Sequence, residues 1–422
     1  MKRILLSGLL LASIATGATA QSELRGLSAY SYLGVGIPND YRSSFASSMG
    51  VTGVALANRV GTSFANPALY SNAYFTTAGG GLTYRNLRAE DNYGTSSNSQ
   101  ADALALQVVF PLLREKVGFS FGMLPVTENS YSITKRLETV NGSDTIRYNS
   151  SLSGRGGLNR LEAGLGVRIT DWLSVGYAPS LVLGTLRNSE TVFFTTTGYH
   201  NYDRGDVLSN IGFGNRFGVF TSHQKLFAKN DVLTFGATYS LPVRLNSDLL
   251  RKQSQQINGE TQMESQKVGR GENELPGEFS LGLSYSPNTS WLTTAEVLRQ
   301  EWSTFKDFDG TTPTYLVDRT RIGAGVQFVP SGRSESFFSN FLYRAGLSYD
   351  SGHLQLSNTG ISTVLFSAGL GIPSRAPGSS VDLSIDYGFR GTTSHDLVRE
   401  QIFTFRVSFN LSELMFLQRK IE

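Results

Sequence analysis

From Phe75 to Leu411 the chain alternates apolar and polar residues in successive runs of roughly ten to fourteen, the pattern of strands whose two faces meet lipid and water. The last two runs are the cleanest. Val381, Leu383, Ile385, Tyr387 and Phe389 alternate with Asp382, Ser384, Asp386, Gly388 and Arg390; Phe403, Phe405, Val407, Phe409 and Leu411 alternate with Thr404, Arg406, Ser408 and Asn410. Cutting at turn signals places runs at 74–88, 101–113, 117–126, 158–169, 172–194, 207–221 and 231–245. Further runs follow at 277–286, 291–305, 315–329, 337–350, 361–372, 380–391 and 401–411. About fourteen strands result, an even number, as a single-chain bacterial barrel requires. The fold class is therefore all-β, a transmembrane antiparallel barrel. The run at 291–302 alternates poorly, and its lipid-facing side stays open.

Short links at 113–116, 170–171, 287–290, 330–336 and 373–378 alternate with longer ones, which suits short periplasmic turns and long external loops. The longest loops, 127–157 and 246–276, are polar. Within the first, Tyr131, Ile133, Ile146 and Tyr148 flank Asn141-Gly142, a hairpin turn pair, so two strands extend above the membrane there. A soluble β-sandwich or propeller is the competing architecture. Against it, the polar face carries Arg160, Glu162, Arg168, Arg216, Arg321, Arg344, Asp382, Asp386, Arg390 and Arg406 in register with many glycines. Among these are Gly164, Gly166, Gly176, Gly212, Gly214 and Gly218, then Gly236, Gly282, Gly323, Gly325 and Gly346. Charges facing a confined lumen can pair with one another, and small residues there leave room inside.

The start of the chain changes the picture. Lys2 and Arg3, an apolar stretch and Ala18-Thr19-Ala20 read as a secretory signal over 1–20. No later apolar stretch reaches the roughly 18 residues of a membrane helix. The chain has no Cys, which excludes disulfides, thiolate metal sites and a lipoprotein anchor. Without Lys2 and Arg3, Lys+Arg falls from 37 to 35 against 34 Asp+Glu, and no basic stripe points to nucleic acid. Residues 21–73 do not alternate. They hold Met49-Gly50-Val51-Thr52-Gly53 and Asn66-Pro67-Ala68, with Phe45, Leu56, Phe64 and Leu69. So apolar and glycine-rich a segment ahead of a barrel reads as a hatch in the lumen; a flexible periplasmic extension is the alternative. The barrel then covers 74–412, and 413–422 forms a short periplasmic tail.

These motifs resemble the FadL/TodX family of outer-membrane transporters. The likeness rests on Met49-Gly50 through Ala57, on Asn66-Pro67-Ala68, and on Leu275-Pro276-Gly277-Glu278-Phe279 with Trp302-Ser303 downstream. Tyr343-Arg344-Ala345-Gly346-Leu347 adds to it. The opening Ser28 to Gly34, Gly154-Arg155-Gly156-Gly157 and the basic tail resemble barrels of Bacteroidota-like bacteria. The resemblance implies passive uptake of hydrophobic small molecules, of the long-chain fatty acid or aromatic hydrocarbon class, across the outer membrane of a Gram-negative bacterium. It implies gating by a hatch containing Met49, Gly50, Gly53, Asn66, Pro67 and Ala68. It also implies exit through the wall at a kinked third strand, where Pro125 falls. Pro125 marks an opening or simply ends a strand, and Asn66 before proline also sets a turn.

Two departures bear on function. The loop at 246–276 has few apolar residues for a capture groove. The chain also runs past Phe416 into Leu417-Gln418-Arg419-Lys420-Ile421-Glu422. Hence a second function is carried alongside transport: a non-transporting barrel subunit of an outer-membrane secretion or assembly complex. The expected partners are outer-membrane lipid, a hydrophobic ligand and, for the second function, another envelope protein, with no nucleic acid. No cofactor, metal site or catalytic residue is expected. Of the four histidines only His395-Asp396 has an adjacent carboxylate, and sequence neighbours on a loop point different ways.

Overall fold

The computed structural model describes residues 27–40, 43–57, 64–141, 144–196, 199–257, 260–330, 337–374 and 378–413. The signal segment 1–20, Gly142 of the hairpin pair and the tail beyond Glu413 lie outside the described residues.

Fourteen antiparallel strands close into a barrel. They are β1 (Thr76–Glu90), β2 (Thr95–Ala103 and Leu106–Leu113), β3 (Val117–Pro125 and Tyr131–Asn141), β4 (Asp144–Arg168) and β5 (Leu173–Phe194). Next come β6 (Tyr202–Gln224), β7 (Val232–Ser240 and Val243–Ile257), β8 (Glu260–Leu275 and Glu278–Ser286), β9 (Trp291–Gln300) and β10 (Arg319–Phe328). The set ends with β11 (Leu342–Asp350), β12 (Thr363–Pro373), β13 (Ser380–Arg390) and β14 (Arg399–Glu413), and β14 pairs with β1 to close the wall. The two-armed strands β7 and β8 break at proline. Pro242 parts the arms of β7 and Pro276 those of β8, because proline has no N–H for the ladder.

Period-two alternation sets the faces. Leu82, Phe121, Leu165, Phe213, Phe235 and Leu283 are exposed on the outer surface, followed around the wall by Ile322, Leu347, Phe366, Ile385 and Phe409. A belt of large apolar side chains this continuous is stable only against lipid. Register also assigns the ninth strand. Thr294, Glu296 and Leu298 are buried inward, while Trp291, Thr293, Ala295 and Arg299 face out. The outer face there carries Thr293 and Ala295, which is why its alternation was weak. The predicted run to Phe305 is too long: the strand stops at Gln300, and Trp302–Thr304 forms a 3-10 turn.

The polar loop expected at 246–276 is instead strand. It forms the upper arms of β7 and β8, paired from Val243↔Leu275 to Ile257↔Glu260. A sequence polar on both faces can hold a hairpin when its backbone ladder is continuous with a barrel below. The wall is consequently uneven. β4 has 25 residues and β14 has 15, so β4 at about 3.3 Å per residue extends roughly 80 Å along its length.

The described residues between Leu27 and Asn72 pack inside the barrel against the inward glycines. A side chain at Gly325 or Gly346 would occupy space held by the Met49 backbone, and one at Gly236 would meet Val54. Gly176 and Gly218 lie against Asn66-Pro67-Ala68 in the same way, and Gly118, Gly164 and Gly166 against Tyr70. Gly212 and Gly214 differ, since they face Arg244 and Val243 of the neighbouring wall. Replacing Gly346 by leucine is expected to leave the heat-modifiable migration of a folded barrel unchanged while exposing residues 43–57 to protease. Equal protection in the variant and the parent would refute this packing account.

Candidate functional site in the barrel lumen

The described N-terminal segment descends from the mouth at Leu27 to the opposite end of the barrel, where β1 begins and β14 ends. Each stretch of it meets ionisable groups from the inward face of the wall. Near the terminal end, Asn66 caps the 3-10 turn Pro67–Asn72 by accepting from the Ala68 N–H at 3.0 Å. Its Nδ2 donates to the carbonyls of Val54 at 3.1 Å and Val219 at 2.9 Å. Asn66 is thus both a turn former and a tie between the segment and β6. The Tyr70 hydroxyl donates to Glu162 at 3.1 Å, Glu162 pairs with Arg216 at 2.5 Å, and Arg168 donates to Asn72 Oδ1 at 2.6 Å.

The middle stretch is gripped in three places. Glu296 of β9 accepts the backbone N–H groups of Thr52 at 3.0 Å, Gly53 at 2.9 Å and Val54 at 3.1 Å, together with the Thr52 hydroxyl. Gly53 at φ 101° lets successive N–H groups converge on one carboxylate. Ser47 donates to Asp386, which also pairs with Arg406, and Arg406 donates to Ser47 Oγ at 2.7 Å. Arg321 donates to the Gly50 carbonyl at 2.7 Å. Nearby, Arg344 pairs with Asp382 at 2.6 Å and sits 4.5 Å from the centre of the Phe45 ring.

At the mouth, Arg319 binds Asp40 at 2.5 Å and Asp350 at 2.6 Å, with Arg321 3.5 Å from Asp40. Burial pushes the Asp40 carboxyl up, but the Arg319 and Arg321 guanidinium groups outweigh it and hold Asp40 below the usual carboxylate range. Glu400 accepts from Ser28 Oγ at 2.7 Å and from the Ala29 N–H at 3.1 Å, and Arg390 pairs with it at 3.3 Å. Above these, Tyr30, Val35, Leu158, Leu186, Leu245, Trp302 and Phe305 form one buried apolar cluster that also includes Leu316, Leu354 and Ile361. His353 packs on Trp302 with ring centres 4.9 Å apart. Burial, then Arg319, push its pKa from 6.5 down to about 3, so it remains neutral at physiological pH.

Pro125 ends the lower arm of β3. From there Thr127–Glu128 turns inward to pair with Ile37–Pro38 of the N-terminal segment. The upper arm of β3 pairs with β4, and that of β2 with β1; no ladder joins Thr95–Ala103 to Tyr131–Asn141 among the described residues. Side chains span this seam: Arg85, held on its own side by Asp102 at 2.8 Å, meets Glu128 at 2.6 Å, and Ser130 donates to Gln100 at 3.1 Å. A cavity of about 190 Å³ lies behind it, lined by Arg85, Asp102, Glu128, Arg319, Asp350 and Arg390 among others. A second, of about 80 Å³, lies among Phe64, Leu124, Leu241, Leu275 and Leu298, with Arg160 and Arg216. Both are smaller than the roughly 300 Å³ at which ligand pockets begin. His395 and Asp396 are exposed at the rim, where Asp396 accepts from Asn92 at 2.7 Å.

A sequence model of the BamG family matches residues 1–422. The chain belongs to the BamG family. No curated protein matches the sequence. Among solved structures, this BamG-family chain is similar to the CymD monoaromatic hydrocarbon channel at 16% identity and TM-score 0.58, over 91% of this chain and 99% of that one. It is similar to a Pseudomonas aeruginosa FadL homologue at 12% identity and TM-score 0.61, over 89% and 99%. The P. putida toluene transporter TodX follows at 18% identity and TM-score 0.52, over 93% and 100%. These likenesses establish a FadL-like outer-membrane barrel fold.

Of the charged residues expected in the lumen, Glu162, Arg216, Arg321, Arg344, Asp382 and Asp386 are buried, and Arg160, Arg168, Arg390 and Arg406 are half-buried. The structure brings Glu162 to Arg216, Arg344 to Asp382, and Asp386 to Arg406, whereas Arg160 has no ion pair among the described residues. Sequence reasoning passed over Asp40, Arg319, Asp350 and Glu400. Arg319 carried a signal, since it shares the parity of Arg321. Asp40 carried none, because a segment without alternation gives no direction to its side chains.

Glu296→Ala strands three buried backbone donors at an expected cost of about 3 kcal/mol. Hydrogen exchange at Thr52, Gly53 and Val54 should speed up roughly a hundredfold, with the strand amides unchanged; unaltered exchange there would contradict the assignment. Acid should loosen the mouth in two stages. The lowered pKa of His353 makes its stabilising contribution complete above about 6.5 and lost as pH falls toward 3. The lowered pKa of Asp40 delays loss of its contribution to below about pH 4. Trp302 fluorescence followed from pH 7 to 3 should show the first stage, and His353→Gln should abolish it.

Proposed function

We propose that this barrel acts as a sealed, non-conducting subunit of an outer-membrane assembly complex. The observation that carries this reading is the succession of buried acid and base contacts that ties Ser28, Asp40, Ser47, Thr52 to Val54 and Tyr70 to the wall from mouth to base, through Glu400, Arg319, Asp386, Glu296 and Glu162. A hatch that must move to admit ligand would break several buried, charge-assisted hydrogen bonds at once, each costly to leave unpaired. The small cavities, the apolar cluster across the mouth and the polar side chains across the seam favour closure too. Membership of the BamG family supports the assembly role. In this reading the signal segment 1–20 directs export, the end of the barrel where β1 begins and β14 ends faces the periplasm, and the long hairpins stand outside the cell.

A second reading is passive uptake of a hydrophobic small molecule, favoured by the missing ladder beside Pro125 and the cavity behind it. On that reading Asn66-Pro67-Ala68 anchor a movable hatch, and Pro125 sets the exit. One experiment separates the two. Protein extracted from native membranes in mild detergent should contain another envelope protein in fixed stoichiometry, and liposomes bearing the purified barrel should take up labelled fatty acid or toluene no faster than empty ones. Saturable uptake that falls when Asn66 is replaced by alanine, from a barrel that purifies alone, would establish transport and sink the assembly reading.

A further inference from the structure

Above the lipid belt, the tall part of the wall is basic on its outer face. Arg155 of β4 and Arg187 of β5 are direct register partners. Both are exposed, and they share the outward parity of Leu161, Leu165 and Leu183 below them. The same row continues through Val207 of β6 and Leu250 of β7 to Lys267 of β8. Lys252 stands one outward position higher on β7 and is also exposed. Arg155, Arg187 and Lys252 make no side-chain hydrogen bond or ion pair among the described residues. The acid within the patch, Asp248, is taken by Lys267 and Arg270, each at 3.1 Å; Asp203 and Glu272 lie at its margins.

Like charges directly across a strand pair repel, with Cβ atoms only about 5 Å apart. Two unpartnered guanidinium groups so placed form a divergent pair of forks, the donor geometry that phosphate oxygens satisfy bidentately. Their height suits a lipid headgroup. Arg187 lies four residues beyond Leu183, about 13 Å along the strand, and less along the membrane normal once the strand tilts. That level is the headgroup zone bordering the hydrocarbon core. Val207 and Leu250, in the same row, offer apolar contact to the upper acyl chain.

We propose that Arg155 and Arg187, with Lys252 beside them, bind the phosphate groups of an anionic glycolipid in the outer leaflet of the outer membrane. The site fixes how the lipid packs against β4 to β7, and it stands whether the barrel is an assembly subunit or a conduit.

The test uses the full chain in nanodiscs containing bisphosphorylated lipid A, its dephosphorylated form, or neutral phospholipid alone, with retention read by native mass spectrometry. The parent protein should retain bisphosphorylated lipid at least tenfold more than the dephosphorylated form. Arg155→Ala with Arg187→Ala should remove that preference, while Arg136→Ala, farther up the wall, should keep it. Heat-modifiable migration confirms that each variant is folded. Equal retention of the two lipid forms, or an unchanged preference in the double variant, would overturn the proposal. So would displacement of the lipid by inorganic phosphate at matched concentration, which would mark a site for the free ion, or an acidic protein subunit found seated on these arginines in native complexes.

Discussion

A carboxylate or guanidinium turned into the lumen of a membrane barrel has left bulk water and must be met by opposite charge or by donors. In this chain the N-terminal segment supplies much of what the wall requires. Glu296 is met by backbone N–H groups from Thr52 to Val54, Asp386 by Ser47, Glu400 by Ser28 and Ala29, and Arg319 by Asp40. Removing the segment would strand these groups, so barrel and segment depend on each other electrostatically.

The inward glycines make those contacts possible. Backbone reaches backbone only where no Cβ intervenes, and Gly323, Gly325 and Gly346 form a floor on which Met49 and Gly50 lie. Polar grip and close approach therefore act together. The charges determine which residues of the segment are held, and the glycines determine how near they come. At the seam the same logic works between strands, where Arg85, Gln100, Asp102, Glu128 and Ser130 supply side-chain bonds in place of a backbone ladder. Weaker than a ladder, that junction is where the wall would yield first.

Much of this was legible in the alternation. Period two gave the strands and their faces, because a strand half in lipid has no other way to satisfy both sides. It placed Arg160, Arg216, Arg344 and Asp382 inward without any knowledge of pairing. It failed where both faces meet water, at the upper arms of β7 and β8, since nothing apolar marks a strand there. It also failed in β9, where Thr293 and Ala295 dilute the lipid face.

The sequence by itself determined that this is a barrel of about fourteen strands with a non-alternating segment ahead of them, because the bilayer imposes that pattern on any chain crossing it as β-structure. Tertiary structure alone decided which lumen charges hold that segment. It also decided that Thr127–Glu128 leaves the wall to pair with Ile37–Pro38, and that Arg155 faces Arg187 across two strands. The reason is range: alternation is a local constraint between one residue and its solvent, whereas a salt bridge between Asp40 and Arg319 joins positions 279 residues apart and exists only once the barrel has closed.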